Sequence, residues 1–266
     1  MKVYLIYLLS FFMIAEANFR HNDINSFLDE LGEAQDKDKF FKEYVKSVRL
    51  NDQKVNSVIS LYSNQEILKE YYAGVEKEFN GVPILLKDNI DSIGIANTAG
   101  SLAFKNNLPK NDAPLVGKLR ESGFIILGKA NLSEWANFRG NPSTSGWTSI
   151  NGQTNNPFNL KYNPCGSSSG SAAAIAQGLV PVSIGTETNG SITCPASVNG
   201  VVGIKPTVGL VSRTGVIPIS ETQDTAGPMA KNVMDAANVL KAIAGRDPLD
   251  SYTAKIPQDY DYEELT

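Results

Sequence analysis

The stretch that most restricts this chain is residues 164–204, where one charged residue, Glu187, stands among 41. At the chain's average of 20% charged residues, about eight would be expected there. Gly, Ser and Ala crowd the same stretch, as CGSSSGSAAA from Cys165 and GTETNGSITCPAS from Gly185. Such composition could mark a flexible Ser/Gly linker. That reading fits poorly, because the small residues flank IAQGLVPVSIG (residues 175–185), an apolar run that needs burial. Small side chains let backbones approach closely, and glycine accepts positive φ. The segment therefore reads as a tightly packed turn-and-helix region around a site.

The remainder alternates apolar strands with helical patterns. Phe27, Leu28 and Leu31 sit at helical spacing, as do Phe40, Phe41, Tyr44 and Val45. Val58–Tyr62 is a short β-type run, and Asn64 opens a helical stretch through Glu78. Gly81–Leu86 (GVPILL) has a buried-strand pattern ending in Lys87, and Phe124–Leu127 is a second one, closed by Gly128. Val116–Ser122 reads as a helix between them. Residues 139–166 form a long polar loop, followed by a helix over Ser171–Gln177 and strands at Val180–Ile184 and Val201–Ile204. Val233–Ala244 is amphipathic, with Met234, Ala237, Leu240 and Ala244 on one face. Apolar strands interleaved with helices predict an α/β fold, layered α/β/α with a largely buried mixed sheet. Residues 18–80 form its helical N-terminal part and 81–266 its core. There is no internal repeat.

The start of the chain reads differently. Met1 and Lys2 precede an almost wholly apolar run, Val3–Ala15, and Ala15-Glu16-Ala17 has the small-x-small form of a cleavage site. Thirteen apolar residues fall short of the roughly 20 that span a bilayer. Residues 1–17 are therefore expected to be a signal peptide, with export to the periplasm or outside the cell and no stable membrane span after cleavage. Export places Cys165 and Cys194 where a disulfide is allowed. Two cysteines alone do not show that one forms.

Composition closes several functions. The single histidine, His21, lies just past the cleavage site, so a Ser-His-Asp or Cys-His pair lacks a base. A three-histidine zinc site is impossible, and two cysteines cannot build a four-cysteine one. A net charge of −4 argues against nucleic acid as partner. Neither a P-loop nor a dinucleotide fingerprint is present, and a G-x-S-x-G elbow would lack its histidine partner. A serine nucleophile with a base other than histidine remains, and serine–lysine arrangements are the known solution. Lys87 ends an apolar strand. Burial disfavours an ammonium, so a lysine there shifts toward its neutral form and can act as a base. A lone lysine after a strand is also compatible with a solvated strand end.

Several motifs together resemble the amidase signature family. They are GVPILLKDNI (81–90), GKANLSEWAN (128–137), CGSSSGSAAA (165–174), GTETNGSI (185–192), GIKPTVGLVSR (203–213) and DTAGPMA (224–230). In form they are closest to the bacterial exported amidases resembling peptide amidase. The resemblance implies a Ser-Ser-Lys triad. Carried over position by position, the base is Lys87, the bridging serine on a cis peptide is Ser167, and the nucleophile is Ser191, 24 residues later. Ser168 and Ser171 are rivals in the same run. The backbone N–H groups of Thr188, Asn189, Gly190 and Ser191 would form the oxyanion hole, such donors commonly being worth about 3 kcal/mol each. Asn189 replaces the Gly or Asp common at its position.

The implied activity is hydrolysis of a carbon–nitrogen bond in a small amide or peptide amide, without metal or cofactor. Family members continue well past the GPM segment, which the resemblance reads as helical. Residues 247–266 read as the start of a second half, so the fold is expected to be incomplete. Two alternatives follow: an inactive truncated fragment, or the catalytic subunit of a tRNA-dependent amidotransferase, which the signal-like N-terminus opposes. Oligomeric state is not legible.

Overall fold

The structure is a computed structural model that describes residues 23–266 apart from 139, 141, 142 and 258. The expected signal segment and His21 lie outside the described residues.

Helix α1 (Ile24–Glu33) begins at Asp23, whose carboxylate accepts from the Ser26 amide. Helix α2 (Lys37–Asn51) follows, capped by Asp36. Their apolar faces meet in an aromatic cluster, Phe27, Phe40, Phe41 and Tyr44, with the Phe27 and Tyr44 rings edge-to-face at 5.3 Å. The buried Tyr44 hydroxyl donates to the Leu179 carbonyl at 2.6 Å. The Ile24 amide donates to Asp235 at 2.9 Å. One hydrophobic cluster therefore runs from Ile24 to Ile243, and the N-terminal helices share the core of the sheet.

Strand β1 (Val58–Leu61) leads to α3 (Asn64–Ala73), which starts in a capping box between Ser63 and Glu66. α3 ends at Ala73, short of the expected Glu78. Gly74, a poor helix former, caps it, and hydrogen-bonded turns from Lys77 to Gly74 and from Asn80 to Lys77 carry the chain onward.

Strand β2 (Pro83–Lys87) is buried throughout. Helix α4 (Pro114–Glu121), with proline at its start, leads to β3 (Ile125–Ala130). The sequence suggests that Gly128 closes β3, but the strand runs through it. A Cβ there would meet the Ser60 carbonyl oxygen at 2.1 Å, so glycine is what lets β1 pair so closely. The polar loop contains a short hairpin, β4 (Trp147–Thr148) and β5 (Gly152–Gln153), which the sequence did not signal. Helix α5 (Ser169–Gln177) and strand β6 (Val182–Glu187) follow. Then come α6 (Thr193–Val198), β7 (Val202–Gly203), β8 (Thr225–Ala230) and α7 (Val233–Ile243).

Six strands form one mixed sheet in the order β1-β3-β2-β6-β8-β7. β2 is parallel to both β3 and β6, and the remaining pairs are antiparallel. This is the layered α/β fold expected. Two further expectations fail. The GPM segment is strand β8, not helix. Proline removes a backbone donor and is costly inside a helix. Here the Pro228 carbonyl accepts from Ile204, so the missing N–H falls on the side of the two-residue β7. On α7, Met234 is 60% exposed, and the buried face is Ala236, Ala237, Val239, Leu240 and Ile243.

Candidate active site

Lys87 is the last residue of β2 and is fully buried. Leu85 pairs in register with Ser183, whose hydroxyl donates to the Ser171 carbonyl on α5. Strand alternation sends Lys87 to the same side as Leu85, beneath the start of α5. Its Nζ lies 2.7 Å from Ser167 Oγ, 2.9 Å from Thr186 Oγ1 and 3.0 Å from the Thr186 carbonyl oxygen. Burial lowers the lysine from an ordinary 10.5 to about 7, against the opposing pull of Glu187 and Asp224.

The uncharged stretch explains how Ser167 reaches the lysine. The Gly166–Ser167 peptide is cis. The Ser167 carbonyl accepts from the Ser133 amide at 3.0 Å. At Gly170, a Cβ would meet the Ser57 carbonyl oxygen at 2.2 Å and the Asn131 carbonyl oxygen at 2.5 Å. Only glycine lets the first turn of α5 press against those backbones. The rival serines are occupied. Ser168 Oγ donates to the Thr186 carbonyl at 3.1 Å and accepts from the Thr186 amide at 3.2 Å. Ser171 Oγ donates to the Ile184 carbonyl at 3.1 Å. Both tie α5 to β6.

Ser191 sits on the turn after β6. Its carbonyl accepts from the Ser168 amide at 3.1 Å, which brings the two serine-bearing segments side by side. The Ser191 hydroxyl has no hydrogen-bond partner among the described residues, so the structure joins Lys87 to Ser167 directly and leaves Ser191 Oγ free. The amides of Thr188, Asn189 and Ser191 likewise have no protein acceptor among the described residues. The fourth expected amide, that of Gly190, is engaged: it donates to Glu187 at 2.8 Å.

Glu187 is a residue whose role sequence reasoning missed. Its carboxylate also accepts from the amides of Ile192 at 2.7 Å and Thr193 at 2.9 Å, and from the Thr193 hydroxyl at 3.2 Å. Burial alone would raise this carboxyl, but those amides outweigh it and hold the group below its ordinary value. The carboxylate thus gathers the turn carrying Ser191. The signal was present, since Glu187 is the one charge in residues 164–204. Asp224 does similar work beside it, accepting from Thr188 Oγ1 at 2.5 Å and from the amides of Ile219 and Ser220. On β3, Lys129 is buried 3.8 Å from Asp88. Burial pushes the lysine down and the carboxyl up, each opposed by the other's charge. Asp88 also accepts from Thr98 and Gly100, fixing the loop that leaves the Lys87 strand.

Cys165 and Cys194 form a disulfide, with Cα atoms 6.0 Å apart. The pairing was left open by the sequence, where 29 residues separate the two cysteines.

Known proteins resemble this chain in sequence and in fold. A probable amidase of Arabidopsis thaliana is 55% identical over 175 residues, covering 65% of this chain and 34% of the relative. A glutamyl-tRNA(Gln) amidotransferase subunit of Pseudothermotoga lettingae is 41% identical over 213 residues, covering 80% of this chain and 43% of the relative. The crystal structure of native peptide amidase from Stenotrophomonas maltophilia superposes with a TM-score of 0.84 at 49% identity, covering 90% of this chain and 51% of that one. The chain thus spans from a third to about half the length of these proteins. Residues 40–266 match the amidase family model, and the chain belongs to the amidase family.

Proposed function

We propose that this chain carries the acyl-transfer centre of an exported amidase. It would hydrolyse the carbon–nitrogen bond of a small amide or peptide amide, with Ser191 as nucleophile, Ser167 as proton bridge and Lys87 as base. The observation that carries the reading is the buried Lys87 amine 2.7 Å from Ser167 Oγ.

Proton accounting gives the contact its direction. A neutral amine has two N–H bonds and one lone pair. The Thr186 carbonyl can only accept, so it takes one N–H. The lone pair then faces a hydroxyl, and the Ser167 O–H can donate into it. As Ser191 Oγ attacks the amide carbon, its proton passes to Ser167 while the Ser167 proton passes to Lys87. The tetrahedral oxyanion is received by the free amides of the 188–191 turn. The proton returns through Ser167 to the leaving nitrogen, giving an acyl-enzyme and a free amine. Water, deprotonated through the same relay, then releases the acid.

Export rests on the apolar run before Ala17 and on the disulfide, a cross-link of oxidising compartments. The similarity to an amidotransferase component supports a second reading, in which the same centre works within a larger assembly. Fluorophosphonate labelling of the purified chain, followed by peptide mapping, tests the first. Label on Ser191, abolished in Ser191→Ala, together with amide hydrolysis by the chain alone, is the expected result. An unlabelled, folded chain refutes it. Turnover that appears only with partner subunits moves the function to the second reading.

A further inference from the structure

The two serine-bearing segments are anchored to the sheet separately. Ser167 is held from below by Lys87, and the turn carrying Ser191 is gathered by Glu187. The links running directly between the segments are few. The Ser168 amide donates to the Ser191 carbonyl at 3.1 Å. The buried Asn199 amide group donates to the carbonyls of Pro164 and Pro195, each at 2.8 Å. The third is covalent, the bond from Cys165 to Cys194. Cys165 stands two residues before Ser167, and Cys194 stands three residues after Ser191. Both cysteines are partly exposed, so a soluble thiol can reach the bond.

We infer that the Cys165–Cys194 disulfide is a redox-sensitive positioning clamp that sets the spacing between Ser167 and Ser191. The inference rests on the roles given to those serines above. Neither cysteine takes part in the chemistry. Their bond acts through the segments it joins, and a reacting geometry displaced by about 1 Å can cost on the order of a hundredfold in rate. Reduction by a dithiol is balanced. One reductant thiolate attacks a sulfur of the bond and displaces the other cysteine as thiolate, giving a mixed disulfide. The second reductant thiolate then releases the first cysteine. Two electrons pass to the protein, both cysteines end as thiols after protonation, and the reductant ends as a cyclic disulfide. The hydrogen bonds that hold each segment to the sheet involve neither sulfur, so the chain stays folded while the serines lose register. The active centre is thereby switched on in an oxidising compartment and attenuated in a reducing one.

The experiment uses the full chain, oxidised and after dithiothreitol, with thiol titration to verify both states. Three readouts are taken: the labelling rate of Ser191 by a fluorophosphonate, kcat and KM on an amide substrate, and native-state hydrogen exchange. Reduction is expected to slow labelling and kcat by about ten- to a hundredfold, with KM changed much less. Exchange at the Ser168 amide should accelerate at least tenfold, while exchange at Ile125, bonded to the Val82 carbonyl in the core, stays constant. Reoxidation should restore all of these. A Cys165→Ala/Cys194→Ala double variant should behave like the reduced chain and ignore the dithiol. Unchanged labelling and unchanged Ser168 exchange after verified reduction would overturn the clamp. So would equal acceleration at Ser168 and Ile125, which would make the bond a global staple. If Ser191 is never labelled, even oxidised, the catalytic reading fails, and the Ser168–Ile125 comparison still decides whether the bond clamps the two segments.

Discussion

In the proposed mechanism Lys87 links activity and stability through a single proton, and Lys87→Met separates them. In the folded chain the lysine titrates near 7, against an ordinary 10.5. Between those values the unfolded chain holds a proton on this residue that the folded chain lacks. Unfolding free energy should therefore rise with pH across that interval, by about 1.4 kcal/mol per pH unit. Below about 7 both states are protonated, the dependence vanishes, and the folded state bears the full cost of a buried ammonium. Over the whole interval that cost is on the order of 5 kcal/mol. Lys87→Met keeps the length of the side chain and removes the charge. The variant should lose the slope between pH 7 and 10, measured by urea unfolding at several pH values, and should be the more stable protein at pH 6. Activity responds to the same proton in the same direction. In the proposed relay the neutral amine is the working form, so kcat/KM should climb about tenfold per pH unit below the break near 7 and be flat above it. The variant should be inactive at every pH. Two results would refute the reasoning: a wild-type rate profile flat down to pH 5, or equal stability slopes in wild type and Lys87→Met.

Other substitutions report on neighbouring parts of the site. Gly170→Ala places a methyl group against the Ser57 and Asn131 backbones, so it should lower the urea midpoint by an amount equivalent to a few kcal/mol. Ser171→Ala removes one buried hydrogen bond to β6; it should cost about 1 kcal/mol in the same assay and leave kcat within twofold, whereas Ser167→Ala should lose activity by orders of magnitude. Glu187→Gln orphans at least one of the amide donors now held by the carboxylate. It should lower kcat by ten- to a hundredfold with a smaller change in KM, and steady-state kinetics on a small amide would show it.

The apolar runs PILL and FIIL were readable as buried strands because each is short, uncharged and bounded by turn residues. The ends of elements were not. Gly128 looked like punctuation, and only the closeness of β1 explains a glycine inside a strand. The TAGPMA run gave no period to choose helix or strand, and the choice is made by β6 on one side and a two-residue β7 on the other. At the candidate site, motif order nominates Lys87, Ser167 and Ser191, and the structure places the first two in contact. Glu187 was visible as an isolated charge, but its work depends on where three backbone amides point. The disulfide was similarly hidden, because loop closure across 29 residues is a property of the fold.

The opposed behaviour of Lys87 and Glu187 explains why residues 164–204 tolerate a single charge. A lysine falls to about 7 only where water and counter-charges are both scarce. Each added carboxylate near the site would favour the charged form of Lys87 and move it out of the range that the proposed base role needs. Yet a turn that is proposed to aim its free amides toward one oxyanion must itself be held, and a carboxylate is the strongest compact acceptor for backbone N–H groups. Glu187 meets both demands by directing its oxygens at Gly190, Ile192 and Thr193. Its remaining pull still reaches Lys87, together with that of Asp224. Replacing Glu187 by glutamine should therefore do two things that a merely loosened turn would not do together. The rate falls, and the break in the pH–rate profile moves to lower pH, because the lysine loses an attraction that favours its charged form. A break that stayed in place, or moved upward, would show that Glu187 acts on the turn alone.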